Sequence, residues 1–439
     1  MSFDDMILAD LAAPQKNAIV GGPFGSNLVS KDYVAGGVPV IRGANMGAKW
    51  IGGDFVYVSN NKAIELSQNL ARPYDLVFTQ RGTLGQVAIV PDHSYDRYVV
   101  SQSQMKITVD PKKADVHFLY YLFSSPHQLQ YIRNSAIQTG VPHTNLGILK
   151  KTPVRIPPLA VQREVASILS ALDDRIALLR DTNATLEAIA QALFKSWFMD
   201  FDPVRAKQEG RTPEGMDEAT AALFPDSFEE SEQGLMPRGW KDGALGDVAD
   251  TTRSQIQPEA MSVELLYVGL EHIPRQSLGL DSWGTAEGLG SAKSCFTKGD
   301  ILFGKLRPYF HKVAIAPFAG VCSTDILVCK AKVHGYYSFT AMHLFSSELI
   351  AYAERLSNGA KMPRVSWKDL AAYKLVVPPT ALATAFDEIT LPMLVKITAN
   401  VLEASKLTAL RDTLLPRLIS GQLRLPDGVG LAEQLYTGA

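Results

Sequence analysis

The sequence is written twice, and that repeat constrains the fold more than any motif does. At a fixed offset of 221 residues Pro142 meets Pro363, Leu149 meets Leu370, and Pro157-Pro158 meets Pro378-Pro379. Upstream the offset drifts between 221 and 227, as insertions in loops produce. There Asp75-Leu76-Val77-Phe78 answers Asp300-Ile301-Leu302-Phe303, and Val87-Ala88-Ile89 answers Val313-Ala314-Ile315. Leu122-Phe123-Ser124-Ser125 answers Leu344-Phe345-Ser346-Ser347. A chain of 439 residues is too long for one compact domain, so each copy is expected to build its own core.

Both copies carry the same order of signals. In the first, strand-like runs come early: Val38-Pro39-Val40-Ile41, Leu76-Val77-Phe78, Val87-Ala88-Ile89-Val90 and Val99-Val100. A helical stretch from Val116 to Arg133 follows, then a turn at Gly140–Asn145, then the Pro-Pro pair that stops regular structure. Next comes an apolar seam in steps of three and four: Val165, Leu169, Leu172, Ile176, Leu179, Leu186, Ala190, Leu193 and Trp197, with Asn183 inside it. The repeat places Phe386, Thr390, Met393, Ile397, Asn400, Ala404, Leu407, Leu414 and Leu418 in a second seam, broken at Arg411. Helices of roughly 40 residues would be about 60 Å long, more than a domain of this size needs. The seams therefore predict an antiparallel coiled coil, with Asn183 and Asn400 fixing register; the alternative is that each stripe packs only on its own domain.

The expected fold is α+β: two similar mixed domains joined by the two long helices, with pseudo-two-fold symmetry. Residues 1–156 would form the first domain and 157–205 the central helix. Residues 206–239, acidic and carrying Gly210, Pro213, Gly215 and Pro225, read as a linker long enough to return the chain. Residues 240–377 would form the second domain, and 378–439 the second helix and tail.

Composition excludes more than it identifies. Apolar residues make up 46% and charged residues 20%, an ordinary globular mix, and no uninterrupted apolar run could span a membrane. The acidic start, Met1-Ser2-Phe3-Asp4-Asp5, is unlike a signal peptide, and three cysteines without C-x-x-C spacing fit a reduced cytoplasmic chain. Net charge is −2, but two mildly basic blocks flank the acidic stretch. No phosphate-cradling G-x-x-x-x-G-K-[ST], no H-E-x-x-H and no G-x-S-x-G is present. The Pro-Pro pairs lack the polar and aromatic flanks of an amino-methyltransferase motif. Pro91-Asp92 with Asp110-Pro111-Lys112 matches a loose nuclease pattern, but both read better as turns.

What remains are donor-rich loops at equivalent positions. Thr79, Gln80, Arg81 and Thr83 match Lys305, Arg307 and Tyr309; His143 and Asn145 match Lys361, Arg364 and Ser366; Arg42 and Asn45 match Glu271 and His272. Such side chains bind phosphates or the edges of bases. The copies agree in backbone anchors and differ at these tips, so two scaffolds of one kind would read two different short sequences.

Leu186-Glu-Ala-Ile-Ala-Gln-Ala-Leu-Phe-Lys-Ser-Trp-Phe-Met-Asp-Phe-Asp-Pro-Val204, Leu223-Phe-Pro-Asp-Ser-Phe228 and Pro237-Arg-Gly-Trp240 resemble the central region of type I restriction–modification specificity subunits. Gly22-Pro-Phe-Gly-Ser26, Ile156-Pro-Pro-Leu-Ala160 with Gln162-Arg-Glu164, and Leu414-Leu-Pro-Arg-Leu-Ile-Ser-Gly421 extend the resemblance over nearly the whole chain. The first copy departs from it in lacking a Pro-x-Gly-Trp lead-in. The resemblance implies two target-recognition domains, each reading half of a split site on double-stranded DNA, with the helices as spacer. It implies two modification subunits, which bind S-adenosylmethionine, and two restriction subunits, which use ATP and Mg2+; no cofactor would bind this chain. Phe194, Trp197, Phe198, Leu414 and Leu418 would then dock partner helices, the alternative being burial within the chain's own helix pair. A stand-alone enzyme and a coiled-coil scaffold without DNA contact are the rival readings.

Overall fold

The repeat anchors fold alike down to register. Leu76–Thr79 and Ile301–Gly304 are buried throughout, and each lies in the middle of a four-stranded antiparallel sheet. Leu76 opposes Ile89 and Val77 opposes Ala88; in the second copy Ile301 opposes Ile315 and Leu302 opposes Ala314. The aspartate before each strand also acts alike. Asp75 accepts from the Arg72 amide at 2.9 Å, Asp300 accepts from the Thr297 amide at 2.7 Å, and each faces a lysine of the next strand, Lys106 or Lys330. The computed structural model describes residues 3–138, 142–231, 234–357 and 362–424.

Each copy adds a five-stranded sheet with one parallel pair, Val38–Ile41 beside Tyr98–Val100 and Leu266–Val268 beside Gly320–Cys322. A two-stranded ladder completes each: Asp4–Ile7 with Pro153–Ile156, and Lys241–Ala244 with Lys374–Val377.

The chain forms two compact units, one from residues up to Asp174 with those from Thr408 onward, the other from Arg175 to Leu407. Both divisions fall inside the long helices, Leu159–Phe198 and Thr380–Ile419, each of 40 residues. The helices are therefore not a body of their own; each unit contains a segment of both. In unit 2 the segments run antiparallel: Arg175 meets Glu403 at 2.7 Å, Asn183 meets Asn400, and Trp197 meets Phe386. Asn400, fully buried, donates to Asn183 Oδ1 at 2.8 Å, and Asn183 donates to the Ile397 carbonyl at 3.2 Å. In unit 1 the same sense holds, with Arg411 on Asp173 at 2.7 Å and Val165 and Leu169 clustered with Leu415 and Leu418. Of the seam, Ile176, Leu179 and Ile397 are buried, while Leu172, Leu186, Met393 and Leu407 are half-buried.

Two expectations need correction. The helix expected from Val116 to Arg133 is two, Val116–Ser124 and Pro126–Asn134, because Ser125 precedes a proline and is held extended at φ −68°, ψ 146°. The acidic stretch is no plain linker. Helix Asp202–Gln208 runs into it, and it holds helix Glu218–Ala222 and paired strands Phe228–Ser231 and Gly234–Pro237. Val204 just before it and Phe224 within it enter the core of unit 2, which is what orders the segment.

That core holds one titratable group at a cost. His343 lies between Phe194 and Phe339, with ring centroids 4.7 and 4.4 Å away, and neither ring nitrogen has a partner among the described residues. Burial pushes its pKa from 6.5 down to about 3, so the folded ring is neutral. Below pH 6.5 only the unfolded chain gains this proton, so stability is lost as pH falls, by at most about 1.4 kcal/mol per pH unit. His343→Met should remove that component. Urea melts at pH 7.5 and 5.5 check it: the variant's advantage should grow by about 1 kcal/mol on acidification.

Candidate nucleic-acid interface

The strands Leu76–Thr79 and Ile301–Gly304 deliver the chain into the first pair of donor-rich loops, and backbone hydrogen bonds tie each to a second. In unit 1 the Thr144 amide donates to the Gln80 carbonyl at 3.0 Å, and Arg81 bridges to His143. In unit 2 the Val365 amide donates to the Lys305 carbonyl at 3.1 Å, and Leu306 bridges to Arg364. Equivalent backbone thus gathers Gln80, Arg81, Thr83 and His143 in one unit and Lys305, Arg307, Tyr309 and Arg364 in the other. Arg81, Thr83, Arg307 and Tyr309 are exposed, and Gln80, His143 and Lys305 are half-buried. Arg307 takes a left-handed φ of 51° and sends its amide to the Pro363 carbonyl at 2.8 Å, which fixes the second tip.

Arg364 has a carboxylate partner that no motif announces. Its guanidinium forks onto Asp325 at 2.8 and 3.2 Å, and those hydrogen bonds hold the Asp325 carboxyl below the usual range. Also unanticipated, Arg275 stacks over Phe310 at 4.1 Å, and Lys312 donates to the Leu270 carbonyl. These contacts brace the second tip loop, since Phe310 and Lys312 lie one and three residues after Tyr309.

Several expected base readers are instead structural. Asn45 is buried; its Oδ1 accepts from the Arg42 amide at 3.0 Å and its amide donates to the Gly52 and Asp54 carbonyls at 3.0 Å. His272, at the repeat-equivalent place, accepts from the Gly269 amide through Nδ1 at 2.9 Å. Asn145 caps the helix Leu146–Lys150 through the Ile148 amide at 2.9 Å. Ser366, its repeat partner, caps Trp367–Ala371 in a capping box with Asp369. Thr79 is buried and donates to Gln86 Oε1 at 3.2 Å. Lys361 lies outside the described residues. Arg42 is half-buried beside an open cleft of about 300 Å³, and its Nε has no partner among the described residues.

The docking expectation is corrected too. Phe194, Trp197 and Phe198 lie in the core of unit 2, each at most 4% exposed, against Phe224, Phe339, Phe386 and Trp240. Leu418 is buried in unit 1 and Leu414 packs on the same cluster. Of the five, Leu414 alone keeps part of its surface exposed. The helices' exposed apolar side chains are others, among them Leu178, Ile189, Ile389 and Val395.

Among the described residues no group of His, Cys, Asp and Glu could hold a metal ion, and no helix is long and apolar enough to cross a membrane.

Residues 27–188 match the Type I restriction modification DNA specificity domain. The chain is 23% identical over 428 residues to the type I restriction enzyme MjaIX specificity subunit of Methanocaldococcus jannaschii, covering 93% of this chain and 92% of that one. It is 25% identical over 390 residues to the HindI specificity subunit of Haemophilus influenzae, covering 76% and 83%. It shares its fold with the crystal structure of the S subunit from M. genitalium, at a TM-score of 0.57 and 18% identity, over 98% of this chain and 97% of that one. The matched domain and the relatives alike over most of their length agree: the chain is similar to type I restriction–modification specificity subunits.

Proposed function

We propose that the chain is the DNA-recognition subunit of a type I restriction–modification complex, each unit reading one half of a bipartite site. The observation that carries this is the pair of equivalent loop platforms: the same backbone pairing in both units presents Gln80, Arg81, Thr83 and His143 in one and Lys305, Arg307, Tyr309 and Arg364 in the other. Basic tips hold phosphates and set register, while Arg, Gln or His read base edges. The chain itself is non-catalytic. Two modification subunits supply S-adenosylmethionine and flip an adenine out of the duplex for methylation, and two restriction subunits supply ATP and Mg2+ chemistry. The modification subunits dock on the long helices, where Leu178, Ile189, Ile389 and Val395 remain exposed.

In this reading the helices also set the spacing between half-sites. A heptad inserted into each long helix keeps the seam and adds about 10 Å. The recognised spacer should lengthen by about three base pairs at 3.4 Å each. Methylation-aware sequencing of DNA treated with the reconstituted complex checks this; an unchanged spacer removes the ruler role. The stand-alone enzyme is tested by the purified chain with DNA, Mg2+ and S-adenosylmethionine, where no modified base is expected.

A further inference from the structure

The motif Gly22-Pro-Phe-Gly-Ser26 is left without a role by the loop platforms, and its phenylalanine is out of place for a soluble core. Phe24 is 82% exposed, more than any other large apolar side chain among the described residues. Its loop is nevertheless tied down at both ends. A Cβ on Gly22 would overlap the Ser101 carbonyl, so only glycine lets the chain pass that close. Gln102 donates to the Gly25 carbonyl at 2.6 Å and to the Leu28 carbonyl at 3.1 Å, and Leu28 is buried among Val38, Val40 and Val58. Gly25 turns the chain at φ 58°, and the Asn27 amide closes the turn on the Phe24 carbonyl at 3.2 Å. The ring is displayed by design of the backbone, not by want of packing.

Beside it lies a cleft whose lining is mixed but carries several hydrogen-bonding groups and one cation, Arg42. The cleft of about 300 Å³ lies against the same loop and is lined by Ser30, Arg42, Ser101, Gln102 and Ser103, with the Arg42 Nε unpartnered beside it. Ser103 in turn accepts from the Gln80 and Arg81 amides at 2.7 and 3.3 Å, so the clamp on the Phe24 turn is continuous with the loop platform of unit 1. An apolar ring on a rigid tip, next to a donor-lined groove, matches a wedge that enters a base step while cations hold the adjacent backbone.

We propose that Phe24 inserts between, or stacks on, bases of the half-site read by unit 1, with the Arg42 cleft taking the neighbouring phosphate. This rests on the DNA-recognition reading above. The second copy supplies a built-in control. Strand Ala249–Thr251 pairs as Ile19–Gly21 does, and the Thr252 amide repeats the Gly22 contact, which puts Ser254 where Phe24 stands. Unstacking is therefore confined to one half of the site.

The test uses the full chain reconstituted with its modification subunits and a duplex carrying its methylated site, with 2-aminopurine placed in turn through both halves. Phe24→Ala should leave the melting temperature unchanged, weaken binding about ten- to a hundredfold, and abolish a fluorescence rise confined to one half. Phe24→Trp should restore both. Equal binding and equal fluorescence for wild type and Phe24→Ala overturn the proposal while leaving the reading of the chain intact. Loss of the modification subunit from the Phe24→Ala complex, with DNA binding by the rest unchanged, overturns it in favour of a protein contact. A wild-type complex that binds no bipartite site overturns the DNA reading and this proposal with it.

Discussion

Trp197→Ala is expected to destabilise unit 2 by about 3–5 kcal/mol, the cost of emptying a large aromatic site in a packed core. The indole is 3% exposed and lies 5.1 Å from the ring of Phe224 and 5.6 Å from that of Phe386, centroid to centroid. Three separate pieces of chain meet there: the end of the first long helix, the acidic segment and the start of the second long helix. Removing the ring should therefore loosen the acidic segment as well as the helix pair. Urea unfolding with hydrogen exchange over residues 202–231 measures both. Were Trp197 a docking residue, the melt would not move and only the modification subunit would be lost.

The duplication also sets up an electrostatic comparison. Asp75 and Lys106 are 3.1 Å apart with side chains 1% and 5% exposed; the equivalent Asp300 and Lys330 are 3.4 Å apart, but Lys330 is 46% exposed. Lys106 also donates to Thr108 at 2.7 Å. Lys106→Met leaves a carboxylate buried without its cation, and a loss of about 3–5 kcal/mol is expected. Lys330→Met leaves Asp300 a neighbour that water can replace, and should cost less than about 1 kcal/mol. Burial already pushes the Asp75 carboxyl up despite the lysine. Once Lys106 is gone, acidification neutralises Asp75 in the folded state, so the penalty should shrink as pH falls through the carboxylate range. Denaturant melts of both variants at pH 7 and pH 4.5 read the contrast; equal costs would contradict it.

Core positions were legible in the sequence, and tips were not, for a physical reason. Asp75–Phe78 and Asp300–Phe303 had to match because each fills the centre of a sheet in a fixed register. The antiparallel helix pair followed from a seam whose two asparagines do meet. The loops were found but their residues were not sorted, because asparagine, serine and threonine serve equally as base readers and as caps. Asn145 and Ser366 hold the same place in the two copies and cap the same short helix, a coincidence the offset of 221 already contained. Asn45 and His272 repeat that lesson with different chemistry at one turn. Phe194, Trp197 and Phe198 stay ambiguous between docking and burial in the sequence, because the side of their core contributed by Phe224 comes from a stretch that looks like linker.

The most direct test of two differing sensors on one subunit is a change made in one of them. Gln80, Arg81, Thr83 and His143 are replaced together by alanine, and DNA from cells carrying the variant with its partner subunits is sequenced for methylated adenine. Degenerate bases in one half of the site, with the other half and the spacer unchanged, are the predicted result. An unaltered site, or loss of definition in both halves together, would contradict it.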